Sequence, residues 1–504
     1  VQTCALPIYI DGILKKEENR TSNQIVVVIL NSLNGYTIED YSYQLGRFWK
    51  IGQKDKNNGV LLVVSKEDRK VRIEVGYGLE GALTDKISHE IINYTIKPNF
   101  KANQYELGIL KAVNEIKAAI KGEYVGKEKA STFCFDREID VHQNLIMPGF
   151  INAHTHSGMT FLRSIADDMP LQQWLNEKVF PIETKLSEED IYYFSKLAIL
   201  EYLTSGITTN FDMYLNPEAI VKASLDMKYR TVLCGAVNDF CLSVEDVERC
   251  FNEYNKENSL ISYVLGFSHE YTNSKEKIQQ VAALSHKYKA PVYTHLSETE
   301  YEVNTCKEKT GLSPVEYLCD LGVYDYGGGA FHCVHMSEHD LDLFKEKHLN
   351  IVTNPASNLK LASGIAPIQS MLQRNINVCL GTDGPASNNC LDMFREMFLV
   401  TGLAKYKEKD ASAVDAYEVL KMATVNGAKA LNLNCGVLEA GKLADLIILD
   451  LHQPNMQPIN NVAKNIVYSG SKSNVKCTMV NGKILYEDGH FHVGFEIEAL
   501  YDEV

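Results

Sequence analysis

The feature that most constrains this chain of 504 residues is a regular alternation of short β-rich segments with helical stretches from residue 145 onward. Many of the β-rich segments end in polar residues, and the stretches between them have the apolar spacing of helices. Eight strand–helix units of this kind predict an α/β fold, a (β/α)8 barrel with functional groups at the carboxyl ends of its strands. The predicted strands cover residues 145–156, 207–213, 231–238, 261–270, 291–298, 330–336, 351–358 and 378–384.

Histidines and one aspartate stand at the ends of these predicted strands. His154 and His156 are two residues apart, so both imidazoles point to the same side of the first strand. His295, His332 and Asp383 lie at the ends of the fifth, sixth and eighth strands. A single strand histidine usually has a structural role, whereas four imidazoles and a carboxylate at strand ends predict a metal site.

The first 132 residues differ from the rest in charge and in pattern. They carry a net charge of +3, whereas the remainder carries −18, which suggests two units of different origin. β-Branched runs at 24–30, 60–65 and 70–75 predict strands, and helical spacing covers 38–49 and 107–120. The last two strands are close enough to form a hairpin. These elements predict a small α/β domain with a sheet of three or four strands.

Two glycine-rich motifs lie in this segment. Asn57-Asn58-Gly59 precedes a predicted strand, and GYGLEG at 76–81 follows one. A glycine-rich loop can bind a dinucleotide in a βαβ unit, but the preceding hairpin disfavours that interpretation. The motifs and their order resemble the TPM domain family over residues 9–122. The resemblance implies weak phosphatase activity, export or membrane tethering, and metal binding through Glu80 and Asp85; turn glycines and surface carboxylates are the alternative.

Four motifs on the predicted barrel resemble those of the amidohydrolase superfamily. They are PGFINAHTH at 148–156, THLSE at 294–298, HCVH at 332–335 and GTDG at 381–384, and the resemblance extends over residues 141–488. Binuclear members usually carry a bridging lysine or carboxylate on strand four, which here ends in GFSHE at 266–270 without a lysine. The resemblance therefore implies one metal, with Glu270 as the residue that keeps a second metal open.

Local segments narrow the resemblance to the 5-methylthioadenosine/S-adenosylhomocysteine deaminases. They include ADDMPL at 166–171, FPIE at 180–183 and NPASNLKL at 354–361. The resemblance implies one divalent metal, most often zinc, with iron and manganese as alternatives. By position, its ligands would be His154, His156, His295 and Asp383.

The residue types suit hydrolytic deamination of an adenine nucleoside to its inosine analogue and ammonia. A metal lowers the pKa of a bound water toward neutrality, and Asp383 and His332 can accept the proton of that water as it attacks C6 of adenine. Glu298 is placed to protonate ring N1 and to pass a proton to the departing ammonia.

Three further residues are candidates for substrate binding, in addition to Glu298 at the purine edge. The carboxylate of Glu183 suits the paired hydroxyls of a ribose, and the alternative is an exposed glutamate at a helix start. The resemblance implies that His269 also contacts the nucleoside, and a loop histidine near the rim is the alternative. Trp174 is a candidate wall of the substrate pocket, with apolar packing as its alternative role.

The loop after the third strand departs from the family pattern. Members that bind the homocysteine carboxylate use arginines at positions near Gly235 and Ser243, and no residue from 233 to 243 is an arginine. This favours 5-methylthioadenosine, 5′-deoxyadenosine or adenosine over S-adenosylhomocysteine. Two alternatives to this function stay open: a related hydrolase acting on guanine, cytosine or a chlorinated triazine, and a non-catalytic metal-binding TPM protein with a damaged barrel.

The resemblance also implies a β-sandwich built from both ends of the hydrolase domain. Its C-terminal strands are predicted at 444–450, 462–468 and 475–486, with Asn481-Gly482 as a hairpin turn, and only 134–145 remains of its N-terminal half. Residues 1–8 resemble a translated sequencing adapter, which predicts a non-native leader, and both a genuine and an artefactual fusion of the two units stay open. The predicted organisation is a leader at 1–8, a TPM-like domain at 9–122, a junction at 123–133, the barrel at 134–435 and the partial sandwich with the tail at 436–504.

Composition excludes several classes of partner. A net charge of −15 argues against nucleic acid or an anionic membrane, and no apolar run approaches the roughly 18 residues that span a bilayer. The twelve cysteines form no CxxC pair, which fits reduced thiols in the cytoplasm. We therefore expect a cytoplasmic enzyme with a small-molecule nucleoside substrate, and association into a homo-oligomer is open.

Overall fold

The computed structural model describes residues 6–102, 104–124, 137–165, 167–239, 242–256 and 260–504, with side chains from residue 14 onward. The chain divides into two compact units, Val1–Ile139 and Asp140–Val504. Most of the predicted leader, at 1–5, and most of the predicted junction, at 125–133, lie outside the described residues. In the described part of the chain, no helix is both long enough and apolar enough to cross a membrane.

The first unit contains a three-stranded sheet, as predicted. Strand β1 (Gln24–Leu30) pairs in parallel with β2 (Gly59–Ser65), which pairs antiparallel with β3 (Lys70–Val75). Strand β2 is central and buried along its whole length, as its aliphatic and β-branched run requires. The α-helices span Leu6–Thr21, Ile38–Trp49, Asp85–Glu90, Lys97–Lys101 and Tyr105–Ile120, with a π-helical segment at Ile91–Ile96.

Two glycines of the GYGLEG motif allow close backbone packing. A Cβ at Gly76 would lie 2.3 Å from the carbonyl oxygen of Asn57, and one at Gly78 would lie 2.0 Å from the carbonyl oxygen of Lys56. Only glycine fits such positions, which explains the motif without a dinucleotide. Glu80 and Asp85 are exposed, and neither joins a group of three or more metal-ligating side chains among the described residues.

The second unit begins with two strands where the sequence predicts one. β4 (Leu145–Pro148) belongs to an antiparallel sheet, and β5 (Phe150–Thr155) is the first barrel strand, so the single strand predicted at 145–156 is wrong. Gly149 separates them, and a Cβ there would lie 2.2 Å from the side chain of Thr208. The chain passes from one sheet to the other here because glycine leaves room for the neighbouring strand.

We expect Gly149→Ala to lower the free energy of unfolding by about 1–3 kcal/mol, because the added methyl group overpacks against buried Thr208. Urea unfolding followed by circular dichroism measures the change. Gly402→Ala is the control: Gly402 lies inside the helix Met393–Glu408 with no atom within 4 Å of its Cβ position. That substitution should stabilise the protein by up to about 1 kcal/mol. Equal unfolding curves for wild type and Gly149→Ala would show that the packing argument is wrong.

Eight parallel strands form the barrel, which confirms the predicted fold class. Neighbouring strands follow chain order from β5 to β12. The other barrel strands are β6 (Ile207–Asp212), β7 (Arg230–Cys234), β8 (Ile261–Gly266), β9 (Val292–Leu296), β10 (Gly328–His332), β11 (Asn350–Thr353) and β12 (Asn377–Leu380). The longer helices span Glu188–Thr204, Pro217–Asp226, Val244–Tyr254, Lys275–Tyr288, Glu300–Thr310, Glu338–Glu346 and Met393–Glu408. Shorter helical segments lie at Ser157–Leu162, Leu171–Trp174, Leu175–Val179, Phe180–Glu183, Glu270–Thr272, Pro314–Asp320, Pro355–Lys360, Ile368–Gln373, Ala416–Met422 and Val425–Ala430.

The partial sandwich is a five-stranded antiparallel sheet. Strand β4 pairs with β13 (Leu446–Leu449), and the sheet continues through β14 (Val475–Val480), β15 (Lys483–Glu487) and β16 (His490–Phe491). The predicted turn between β14 and β15 is confirmed. The strand predicted at 462–468 is wrong, because this segment forms the helix Val462–Ser469. Asn461 caps that helix, and its apolar residues are spaced to bury one helical face.

Candidate active site

The carboxyl ends of the barrel strands bring the predicted metal ligands together. His154 lies in β5, His295 in β9 and His332 at the end of β10, and Asp383 lies three residues beyond β12. The ligating atoms of these four buried residues all lie within 4.8 Å of one another. His156 faces the same group: its Nε2 lies 3.2 Å from Oδ1 of Asp383, and Nε2 of His154 lies 3.5 Å from that oxygen. The four imidazoles and the carboxylate form one cluster, which we call the metal-ligand cluster.

Hydrogen bonds outside the cluster fix the orientation of three of these rings. His156 and His295 each donate from Nδ1 to a backbone carbonyl oxygen, and His332 donates from Nδ1 to the amide oxygen of Asn358 at 2.7 Å. In each of these tautomers the lone pair of Nε2 is left for a ligand.

The carboxylate of Asp383 is held on one side only. Its Oδ2 accepts hydrogen bonds from the hydroxyls of Ser357 at 2.5 Å and Ser387 at 2.7 Å, so its Oδ1 is left to face His154 and His156. Neither serine was predicted from the sequence as a functional residue. The signal available was a serine within each of two segments, NPASNLKL and GTDGPAS, that follow neighbouring barrel strands.

The surroundings of His154 indicate that the cluster fits a cation. Its ring is fully buried, and neither ring nitrogen has a hydrogen-bond partner among the described residues. Burying a polar group without a partner is unfavourable, and a bound cation would offset that cost. Imidazole nitrogens together with one carboxylate oxygen are a donor set that suits zinc, and also iron or manganese.

The charge states of His154, His295 and Asp383 suit metal binding, whereas the carboxylate of Asp383 outweighs burial at His156 and raises its pKa. Burial lowers the pKa of His154 to about 3 and takes the pKa of His295 well below its usual value. Burial alone would raise the pKa of Asp383, but the imidazoles of His154 and His156 beside it hold that pKa well below its usual range. Neutral imidazoles and an ionised carboxylate are the forms that bind a metal.

Glu298 approaches the cluster from the loop after β9. Its Oε1 lies 3.7 Å from Nδ1 of His332 and accepts a hydrogen bond from the hydroxyl of Ser363 at 3.1 Å. Burial raises its pKa. The backbone N–H groups of Ser297 and Glu298 donate to the carboxylate of Glu302 at 2.6 and 2.8 Å, which holds this loop in place. Glu302 was not predicted from the sequence.

The cluster opens into a cavity of about 120 Å³. Glu183, His269 and Trp174, the residues predicted to bind the substrate, all line this cavity together with Glu298. Glu183 ends a short helix and is half-buried beside the hydroxyl of Tyr214, and burial raises its pKa. The alternative of an exposed glutamate at a helix start is therefore wrong.

The other two predicted residues, His269 and Trp174, also line the cavity. The ring of His269 stacks on that of His295 with 4.3 Å between the centroids, and burial lowers the pKa of His269 to about 3. His269 is thus a neutral group inside the cavity. Trp174 is buried in the core of the second unit and also lines the cavity, so its two predicted roles coincide.

Most of the remaining cavity wall is apolar. It is formed by Met159, Leu171, Leu175, Val179, Phe180, Met213, Leu215, Ala236 and Leu361. Among the described residues that line the cavity, none is a lysine or an arginine. A Cβ at Gly235 would lie 2.7 Å from the carbonyl oxygen of Gly266, and Ser243 caps the helix Val244–Tyr254. Gly235 and Ser243, near which the resemblance implies arginines, therefore have structural roles in this chain.

Glu270, the residue that kept a second metal open, is not part of the metal-ligand cluster. Burial and then the charge of Glu302 raise the pKa of Glu270 well above its usual value. A carboxyl group kept neutral beside another carboxyl group is a poor bridging ligand. In the described part of the chain there is a single metal-ligating group of three or more residues, and the number of metals that it holds stays a prediction.

Polar ligands at the carboxyl ends of a parallel barrel define the class of metal-dependent barrel hydrolases. The model of the amidohydrolase family matches residues 145–485, and the model of the TPM domain matches residues 8–119. The chain belongs to the amidohydrolase family and carries a TPM domain ahead of the barrel.

Several similar proteins are named as nucleoside deaminases. The chain is 42% identical over 362 residues to the 5-methylthioadenosine/S-adenosylhomocysteine deaminase of Thermoanaerobacter pseudethanolicus, which covers 70% of this chain and 84% of that one. It is 38% identical to the 5′-deoxyadenosine deaminase of Methanothermobacter thermautotrophicus, with coverage of 71% and 86%. A zinc-bound adenosine deaminase from Xanthomonas campestris has the same fold, with a TM-score of 0.68 at 31% identity and coverage of 71% and 84%. These similarities confirm the predicted family.

Proposed function

We propose that the barrel catalyses the hydrolytic deamination of an adenine nucleoside. Water adds to C6 of the purine, the bond from C6 to the exocyclic nitrogen breaks, and the inosine analogue and ammonia are the products. The observation that carries the proposal is the position of Glu298, an acid buried in the cavity wall beside the metal-ligand cluster. The names of the relatives support the same reaction.

The residues that would hold the metal are His154, His156, His295 and Asp383, and His332 lies in the same cluster. When bound, a divalent cation supplies the Lewis acidity that makes a water molecule nucleophilic at neutral pH. We propose zinc, because the donor set suits it and the adenosine deaminase with the same fold binds it.

The side chains around the cluster supply the proton transfers. Asp383 and His332 accept the proton of the attacking water, since both present an atom to the cluster. Glu298 gives its proton to ring N1, then takes the proton of the hydroxyl formed at C6 and passes it to the exocyclic nitrogen, which leaves as ammonia. The proton accepted from water afterwards restores the acid form of Glu298. Glu183 accepts hydrogen bonds from the ribose hydroxyls, and His269, in the segment that follows β8, contacts the nucleoside. Trp174 and the apolar residues exclude water from the purine.

We expect kcat/KM for 5-methylthioadenosine to exceed that for S-adenosylhomocysteine by about 10–100-fold, which is the worth of one charge-assisted hydrogen bond of about 1.5–3 kcal/mol. The homocysteine end carries a carboxylate, whereas none of the described lining residues is a lysine or an arginine. Steady-state kinetics with both substrates measures the ratio. Equal values of kcat/KM would mean that the carboxylate has a partner outside this wall.

The loss of adenine absorbance on conversion to hypoxanthine tests the proposed function. The assay is run with 5-methylthioadenosine, 5′-deoxyadenosine, adenosine and S-adenosylhomocysteine, with guanine, cytosine and a chlorinated triazine as the competing ring substrates. Turnover of adenine nucleosides alone supports the proposal. Turnover of only another ring would replace it by the related hydrolase. Purified protein that retains no zinc, iron or manganese and turns over no substrate would favour the non-catalytic alternative.

We also propose that the enzyme works in the cytoplasm. Nine cysteines of the described chain are free thiols, most of them buried, and this supports a reducing compartment. Fractionation of cells that express the chain, with enzyme activity as the marker, tests this location.

A further inference from the structure

A buried carboxyl group outside the cavity joins the two segments whose serines donate hydrogen bonds to Asp383. Glu396 lies in the first turn of the helix Met393–Glu408, is fully buried and does not line the cavity. Its Oε2 accepts a hydrogen bond from the backbone N–H of Ala356 at 3.0 Å, and its Oε1 accepts one from the side-chain amide of Asn388 at 2.7 Å. Ala356 lies in the short helix Pro355–Lys360 and Asn388 in the loop after β12, so Glu396 fixes the distance between these two segments.

Each of these contacts is next to a serine that holds the catalytic carboxylate. Ser357 directly follows the residue whose N–H group donates to Glu396, and Ser387 directly precedes Asn388. Both serine hydroxyls donate to the same oxygen, Oδ2 of Asp383. The amide of Asn388 also donates to the carbonyl oxygen just before Asp383, at 2.7 Å. Glu396 is thus one residue away from each hydrogen bond that orients this carboxylate.

Such an arrangement is not the simplest way to stabilise a core. Burial raises the pKa of Glu396 to about 8, which shows the cost of enclosing this group. Enclosing a polar group of this kind is unfavourable unless its oxygens are hydrogen-bonded. Both oxygens of Glu396 accept hydrogen bonds from donors that have to be placed for the site, so the network specifies geometry more than stability.

We propose that Glu396 is a positioning residue of the metal site. By keeping the helix that carries Ser357 and the loop that carries Ser387 at a fixed distance, it directs Oδ1 of Asp383 at the histidines. It thereby sets the affinity of the cluster for its metal. The inference rests on the proposed function in one respect, that Asp383 is a metal ligand. Groups that orient metal ligands through hydrogen bonds typically contribute 10–100-fold to metal affinity or activity.

The substitution Glu396→Gln tests the proposal in the full chain. Glutamine has nearly the same shape, but its amide nitrogen cannot accept a hydrogen bond. Either the hydrogen bond from the N–H of Ala356 or the one from the amide of Asn388 is therefore lost. We expect the Kd for Zn²⁺, measured by chelator competition, to rise about 10–100-fold. We expect kcat to fall while KM for 5-methylthioadenosine stays within about twofold, because Glu396 does not line the cavity. Glu408→Gln, at the exposed end of the same helix, is the control and should leave each value unchanged.

The outcomes separate positioning from a general role in the fold. Folded Glu396→Gln protein with the zinc affinity of the wild type overturns the proposal, even where the melting temperature of the metal-free protein is lower. If Glu396→Gln does not fold, Asn388→Ala removes one of the two contacts, and its zinc affinity decides in the same way. Wild-type protein that binds zinc but deaminates no nucleoside contradicts the proposed function, while the ratio of zinc affinities still decides the role of Glu396.

Discussion

An Asp383→Asn enzyme is expected to keep its fold and to lose deaminase activity by about 10³–10⁴-fold, at the upper end of the range for a residue that acts in proton transfer. The loss should be this large because one carboxylate has two roles in the proposed mechanism. Its Oδ1 lies within 3.5 Å of Nε2 of both His154 and His156, and as an ionised group it is the only anionic member of the metal-ligand cluster. Asparagine removes the charge and the proton acceptor together.

The geometry explains why the fold should survive. The amide oxygen of asparagine can accept the hydrogen bonds that the hydroxyls of Ser357 and Ser387 donate to Oδ2 of Asp383. The amide nitrogen then faces the histidines and replaces a metal-binding oxygen by a donor. Because the neighbouring imidazoles hold the pKa of Asp383 well below its usual range, the ionised carboxylate stabilises the folded protein, so the melting temperature of the metal-free variant should be below that of the wild type while the fold is kept.

Two measurements with one control check this prediction. The metal content of the purified protein should fall with the Asp383→Asn substitution, and the loss of absorbance of 5-methylthioadenosine should slow in parallel. Asp320→Asn changes the charge by the same amount at an exposed position outside the site and should leave metal content and rate unchanged. Wild-type metal content with a rate within about tenfold of the wild type would remove Asp383 from both roles, since a lost proton acceptor alone costs about 10²-fold or more.

The barrel and the cluster could be predicted from the sequence because both depend on local patterns. Eight β-rich segments with polar ends specify parallel strands between helices, and parallel strands place their carboxyl ends at one rim. His154 lies near the end of β5 and His156 directly follows that strand. His295 and His332 lie at the ends of the neighbouring strands β9 and β10. Residues at equivalent strand ends converge in any barrel, so their meeting requires no knowledge of long-range packing.

Two of the supporting contacts could not be predicted, because their partners are far apart in the chain. Ser357 is 26 residues from the carboxylate it holds, and Glu396 is 40 residues from the N–H group it accepts from. The position of Glu302 depends on how a loop folds back over the start of its helix. No periodicity encodes such pairs; they follow from the packing of loops at the barrel rim.

The errors at the sheet beside the barrel have a related cause. An apolar run at 145–156 is continuous in sequence, but it contributes to two sheets because Gly149 lets the chain change direction against Thr208. The segment at 462–468 contains β-branched residues, but a capping asparagine and apolar residues at helical spacing make it a helix. In the first place a single glycine overrides the propensity of the segment, and in the second a helix cap together with the spacing of apolar residues does so.

Glu298→Gln is expected to lower kcat by about 10²–10⁴-fold, the range for loss of a general acid–base group. This corresponds to about 3–5.5 kcal/mol of transition-state stabilisation, since each 1.36 kcal/mol is a factor of ten. The reason is specific to the acid. The backbone N–H bonds to Glu302 that hold the loop do not involve the Glu298 side chain, and the hydroxyl of Ser363 can still donate to the amide oxygen of a glutamine.

Glu298→Gln therefore separates proton transfer from metal binding. Glu298 is not part of the metal-ligating group, so the metal content of the variant should equal that of the wild type, in contrast to Asp383→Asn. The exposed neighbour Glu300 provides the matched control, and Glu300→Gln should leave kcat unchanged. If both Glu298→Gln and Asp383→Asn lost metal, Glu298 would be a ligand and another group would have to protonate the purine. If Glu298→Gln kept both its metal and its rate, proton delivery to N1 would come from elsewhere, and the proposed choice of an adenine ring over other ring substrates would lose its main structural support.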